Sequence, residues 1–237
     1  TPRAHPVSPV DVMVRGYPRR MRSISLASGA SMRVQRPDAD VMVMCVNGGS
    51  ARPRPGNWSP TIEWLVDRLA PRVPDAGFAE VRYRTRSWKM LPSCIADGQA
   101  ALEAVPAARD VVMLGFSMGG AVSIACAHDP RVRDLIALAP WIPEELSLRP
   151  LRGDRVTILH GSIDGWIPGV PGVRPAHSLR GADRLRAAGA DVTYRRIPGA
   201  VHGVALRRND RLVALPRAGE WLRDVEAALA RAGLTVA

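Results

Sequence analysis

The stretch Gly115-Phe116-Ser117-Met118-Gly119-Gly120 places a serine between glycines at the join of two apolar runs. A hydroxyl held there is a candidate nucleophile, provided that a base and an orienting acid lie within reach. Asp110 to Phe116 is short, β-branched at its start and apolar nearly throughout, which predicts a strand buried on both faces. Met118 to Ala127 is rich in small residues and predicts a helix. Turning at once from strand to helix strains the residue between, and small neighbours two positions before and after it keep the turn from clashing with itself.

Serine requires a base, and histidine is the expected one. His5 falls in a proline-rich segment, His128 ends the predicted helix after Ser117, and His177 lies in a Pro/Gly loop. His160 finishes a predicted strand. His202, in Gly199-Ala200-Val201-His202-Gly203, directly follows the last predicted strand, where a parallel sheet collects its functional groups. For the acid, Asp164 follows the strand that ends at His160, whereas Asp154 precedes a strand and Asp183 and Asp191 flank or sit on a helix. Ser117, Asp164 and His202 therefore occur in the chain order of one known triad arrangement, each just past a strand. An oxyanion needs backbone donors. Met118, directly after the serine, is one. Gly49 in Val46-Asn47-Gly48-Gly49-Ser50 is the expected second, with Gly48 as the alternative. A phosphate cradle at this loop is disfavoured: Gly-x-Gly-x-x-Gly and Gly-Lys-Ser/Thr are absent, and proline-rich sequence follows where a phosphate-binding helix would start.

The elements that must position these residues are legible along the chain. Arg20 to Ala27 and Ser31 to Gln35 read as a hairpin, Val41 to Val46 as an apolar strand, and Asn47 to Pro60 as a loop. A helix is predicted over Thr61 to Ala70, a strand over Glu80 to Tyr83 and a helix over Cys94 to Val105. Beyond the serine, strands are predicted over Asp134 to Ala139, Arg155 to His160 and Val192 to Ile197, with helices over Leu179 to Ala188 and Pro216 to Ala232. Alternating strands and helices imply an α/β fold with a mainly parallel sheet covered on both faces. The connection bearing Trp141 is too short for a folded lid. A flexible Pro/Arg-rich segment over 1–19 and a single domain over 20–237 are expected.

The 237-residue chain carries a formal charge of +11, almost entirely from arginine, since Lys89 is the only lysine. The arginines are scattered rather than massed, and no recognition motif accompanies them, so nucleic-acid binding is not the expected role. No interval approaches the apolar length needed to span a bilayer, and the N-terminus lacks the apolar block of a secretion signal, so a soluble cytoplasmic protein is expected. Cys45, Cys94 and Cys126 lie in apolar or helical contexts without metal-ligand spacing, and read as buried thiols.

Taken together, these motifs resemble the α/β-hydrolase family from about Arg20 onward. The matching residues are Asn47-Gly48-Gly49 where many members have His-Gly-x, the Gly-x-Ser-x-Gly turn at Ser117, His160-Gly-x-x-Asp164-x-x-x-Pro168, and Gly199-x-x-His202-Gly203. The resemblance implies an eight-strand core sheet and a Ser117, Asp164, His202 triad, and is greatest to small lidless carboxylesterase and dienelactone-hydrolase-like members. Serine stands where true dienelactone hydrolases have cysteine, so that activity is not carried over.

The expected reaction is acyl transfer to water on a small ester-like substrate, without a cofactor or metal. Trp58, Trp141 and Trp166 are candidates to line an acyl pocket, with Arg84 and Trp88 at its rim. The absence of a lid favours a short-chain ester over a lipid at an interface. Thioesters, amides and peptides share the same acyl-enzyme chemistry, and a non-catalytic binding protein on the same fold is the alternative from another class.

Overall fold

The computed structural model describes residues 21–165 and 172–237. The expectation for the N-terminal segment and those for Trp166 and Pro168 fall outside these residues.

Eight strands form one sheet: β1 (Arg22–Ser25), β2 (Ser31–Gln35), β3 (Val41–Val46), β4 (Ala76–Arg82), β5 (Asp110–Phe116), β6 (Val132–Leu138), β7 (Arg155–Gly161) and β8 (Asp191–Ile197). Their spatial order is β1-β2-β4-β3-β5-β6-β7-β8. The β1–β2 and β2–β4 pairs are antiparallel, and the five pairs from β4–β3 through β7–β8 are parallel. The carboxyl ends of β3, β5, β6, β7 and β8 consequently share one edge, and Gly49, Ser117, Met118, Asp164 and His202 each follow one of these strands.

Alternation along the strands builds two cores. In β3, Met42, Met44 and Val46 face one side, while Val43 and Cys45 face the other. Helices α2 (Leu91–Glu103), α3 (Gly119–Cys126) and α4 (Pro175–Ala187) cover the first face, through residues such as Cys94, Val122 and Leu185. Helices α1 (Pro60–Leu69) and α5 (Ala218–Arg231) cover the second, through Ile62, Leu65, Trp221, Val225 and Leu229. Met44, Met113 and Leu114 are fully buried at 0% exposure, a state worth about 1.5–3 kcal/mol for each such side chain. The sequence of α1 sets its own start: the Ser59 hydroxyl accepts the Ile62 N–H, and Pro60 occupies the first turn, where it forfeits no helical bond.

The expected fold class is the one found, and among the described residues no sizeable lid interrupts it. Several boundaries differ from expectation. The small apolar Ala76-Gly77-Phe78-Ala79 extends β4 four residues upstream of Glu80. Helix α4 starts at Pro175, so His177 stands on a helical first turn rather than in a loop. A hairpin not foreseen joins β9 (Ala205–Arg208) to β10 (Arg211–Ala214) through Asn209 and Asp210, at φ 48° and 59°. The 47–60 loop also contains Arg54–Pro55, bridged antiparallel to Thr85–Arg86.

Candidate active site

Ser117 follows β5 directly and holds φ at 55°, the left-handed region that costs a non-glycine residue roughly 1–2 kcal/mol. Its N–H donates to Leu138 O at 2.9 Å, and its carbonyl accepts from Gly120 N at 2.9 Å and Trp141 N at 3.0 Å. Those three bonds fix the backbone and turn the hydroxyl toward a cavity. The flanking glycines are required by close approach: a Cβ on Gly115 would lie 2.5 Å from Gly119 O, and one on Gly119 would strike Val46 O of the neighbouring strand.

Asp164 lies three residues past β7, and His202 five residues past β8. Their loops are laced together by Ser162 N–H to Ile197 O at 2.9 Å, Ile163 N–H to Ala200 O at 3.1 Å and Gly199 N–H to Ser162 Oγ at 2.8 Å. Asp164 Oδ2 accepts from His202 Nδ1 at 2.6 Å, which fixes the proton on Nδ1 and leaves Nε2 as the free ring nitrogen. The ring packs on Phe116, with centroids 4.9 Å apart. Ser117 and His202 line the same cavity of about 640 Å³ without a hydrogen bond between them. Such bonds commonly tighten only once substrate is bound.

His160, the other histidine at a strand end, meets the same acid but lines neither the Ser117 cavity nor the one beside it. It is wholly buried, and its Nε2 meets two acceptors, Asp164 Oδ2 at 3.0 Å and Val173 O at 2.7 Å, so that nitrogen carries the proton. Its Nδ1 accepts the Ser178 hydroxyl at 2.6 Å, and Ser178 Oγ is 3.0 Å from Tyr194 OH. Asp164 Oδ2 is thus shared by two imidazoles. Burial alone would raise this carboxyl, but the hydrogen bonds from His160 and His202, and the electrostatic attraction of the two rings, outweigh it and hold it below the ordinary aspartate value.

The Asn47–Ser50 loop passes beside the serine. Asn47 Oδ1 accepts the Gly48 N–H at 2.6 Å, which engages one of the two candidate oxyanion donors. The Gly49 and Met118 N–H groups have no acceptor among the described residues. A Cβ on Gly49 would come within 2.6 Å of both Met118 Sδ and Trp88 Cδ1, so only glycine fits that position without displacing a neighbour. The loop is fastened by Trp88 N–H to Ser50 O at 3.1 Å and Ser50 Oγ–H to Arg86 O at 3.0 Å.

The tryptophans separate. Trp88 lines the Ser117 cavity, whereas Trp141 lines a second cavity of about 490 Å³ that adjoins it through Trp88, Gly172 and Val173. The Trp88 and Trp141 ring centroids are 6.4 Å apart. Trp58 is not among the cavity's lining residues. Its ring stacks under the guanidinium of Arg33 at 4.4 Å, with that of Arg82 at 5.2 Å. Arg84 is held by Asp97, Nε to Oδ1 at 2.8 Å. Phe116, Val173 and Val201 supply apolar wall that was not singled out in the sequence. Among the described residues, no cluster of side chains could hold a metal ion and no helix is long and apolar enough to cross a membrane.

No family model matches this sequence, and no curated protein is significantly similar to it. Solved structures do resemble the fold. An esterase from the archaeon Pyrobaculum calidifontis superposes with a TM-score of 0.63 at 16% identity, covering 92% of this chain and 87% of its own. Esterase 2 of Thermogutta terrifontis gives 0.61 at 18% identity, over 88% and 91% of the two chains. Est1E of Butyrivibrio proteoclasticus, solved with ferulic acid bound, gives 0.60 at 12% identity over 88% and 98%. A further similar structure is described as an alpha/beta hydrolase enzyme from a deep-sea metagenome. At these identities the likeness is one of architecture: the chain has the α/β-hydrolase fold.

Proposed function

We propose that this protein is a serine hydrolase that cleaves a small ester through an acyl-enzyme. The observation that carries the reading is the 2.6 Å bond from His202 Nδ1 to buried Asp164, because it leaves Nε2 free in the cavity that Ser117 enters from a strained turn. Esterases among proteins of the same architecture support it.

In this mechanism Ser117 Oγ attacks the ester carbonyl while His202 Nε2 takes the hydroxyl proton, and Asp164 stabilises the imidazolium that forms. The carbonyl π electrons move onto oxygen, which the Gly49 and Met118 N–H groups receive. Collapse of the tetrahedral intermediate breaks the bond to the alcohol, which leaves with the proton from Nε2. Water, deprotonated by the same nitrogen, then attacks the acyl-serine and regenerates Ser117. No cofactor enters any step.

The test is labelling with a fluorophosphonate, which modifies activated serines. Wild type incorporates the probe and hydrolyses short 4-nitrophenyl esters, while Ser117→Ala does neither and keeps its fold by circular dichroism. Full labelling or full turnover in Ser117→Ala overturns the assignment. Parallel thioester and amide substrates then define which acyl bond is preferred.

A further inference from the structure

Arg86 is the only side chain of fixed charge among the described residues lining the Ser117 cavity. The rest of that wall is neutral and largely apolar, with Phe116, Val173 and Leu206 among it. The Arg86 Nε is buried, and among the described residues it has no hydrogen-bond partner. Other arginines of this chain look different where they hold structure together. Arg131 spans Asp129 and the carbonyls of Leu102 and Val105, and Arg184 binds the carbonyls of Pro143, Glu144 and Leu146. A guanidinium that serves the fold collects acceptors, and among the described residues Arg86 has collected none.

Its position is nonetheless fixed. The Arg86 carbonyl accepts the Ser50 hydroxyl, and the backbone pairs with Arg54, so the residue is tied to the loop that carries Gly49. Among the described residues no acidic group offsets its charge. Burial lowers the Arg86 pKa, and the neighbouring charge of Arg54 lowers it further, the response of a cation that lacks an anion. The adjoining cavity adds Arg174 and Arg180, and no acidic residue lines either space among the described residues. Apolar walls with charge of one sign concentrate a positive potential, and a few fixed polar groups in such a pocket set which ligand it takes.

We propose that the cavity selects esters that carry a carboxylate, which Arg86 binds while the scissile carbonyl lies at Ser117. Binding the anion supplies the acceptors that the guanidinium lacks, in the planar two-point geometry that suits a carboxylate. The proposal rests on the hydrolase reading for its reaction, but the anion site can be tested without it.

Two matched pairs of substrates test it. The first, 4-nitrophenyl hydrogen glutarate against 4-nitrophenyl pentanoate, puts the carboxylate on the acyl side. The second, 4-carboxyphenyl against 4-carbamoylphenyl pentanoate, puts it on the alcohol side. In at least one pair the kcat/KM ratio of anion to neutral ester should be about tenfold at low salt, and should fall toward one in Arg86→Met. Arg86→Lys, which keeps the charge, retains part of the ratio. Added salt reduces it. A ratio near one in both pairs, or a preference that survives Arg86→Met, overturns the proposal. Should no ester be turned over, the hydrolase reading fails, and calorimetric titration with glutarate decides the anion site alone. Glutarate binding by Ser117→Ala that is lost in Ser117→Ala/Arg86→Met supports it, while equal binding by both, or binding by neither, overturns it.

Discussion

Replacing His160 by leucine tests the idea that the acid is held from behind by a second imidazole. In the wild type this ring donates to Asp164 at 3.0 Å and Val173 O at 2.7 Å, and accepts from Ser178 at 2.6 Å, at 0% exposure. Leucine has similar bulk but no polar atoms. Asp164 loses one of its two charge-assisted donors, a loss of about 1.5–3 kcal/mol, and the Val173 carbonyl loses its partner for about 1–3 kcal/mol more. Ser178 keeps Pro175 O and Tyr194, so it adds little. The sum is about 2.5–6 kcal/mol, or a melting temperature lowered by roughly 5–24 °C in a chain of this size. Urea unfolding should show a lower midpoint at unchanged slope. The acid dependence adds a second reading. Since Asp164 is held below its unfolded value, its stabilisation is complete above an unfolded pKa of about 3.9 and is lost as pH falls through the lower folded value. Removing His160 removes one cause of that depression, so stability should depend less steeply on pH across that window. His160→Gln, which keeps an amide N–H for Asp164, should recover part of both effects. A leucine variant with the wild-type midpoint and acid slope would refute the account.

Three further outcomes are expected. Gly49→Ala should lower kcat by about 10²–10³ while leaving the fold intact, because its Cβ displaces the loop against Trp88 and Met118; unchanged kcat for a 4-nitrophenyl ester argues against Gly49 as a donor. Arg33→Met takes from buried Glu63 and Glu80 a guanidinium 2.8 Å from each, while Glu63 keeps Arg207, and chemical denaturation should register a loss of about 3–5 kcal/mol. Cys45, Cys94 and Cys126 are buried, which raises all three thiols, to about 11 for Cys94 and about 12 for Cys126; Ellman's reagent at neutral pH should therefore react only after unfolding.

Strands buried on both faces are the elements that sequence reports best, since each is a compact apolar run: Val41–Val46 and Asp110–Phe116 have the same bounds in sequence pattern and structure. The β9–β10 hairpin is not legible as strands because Arg207, Arg208 and Arg211 break its apolar pattern. A turn signal was present in Asn209-Asp210, the residue types that tolerate positive φ in a two-residue hairpin turn. Pro175 likewise marked the start of α4 as a first-turn proline. At the site, Asp164 and His202 were legible because each needs only a strand end and a place in chain order. The setting of His160 was not, because Ser178 and Tyr194 reach it from α4 and β8, and their approach depends on how helix and sheet pack. The tryptophans divided for the same reason. Which ring meets the cavity depends on how separate loops cross, and a cation cluster under Trp58 holds that ring elsewhere.

The backbone angle at Ser117 bears on the history of this chain as well as its chemistry. Glycine would occupy φ 55° without the strain of about 1–2 kcal/mol that a Cβ brings there, at a chain-entropy cost of roughly 0.4–1 kcal/mol, so a lineage selected for durability alone gains a little from the exchange. A serine at that dihedral runs against the direction in which random substitution toward a sturdier fold would carry the protein. The turn is a standing cost, opposed in each generation by whatever benefit the hydroxyl confers, and a descendant that ceased to use the hydroxyl would be expected to lose it early.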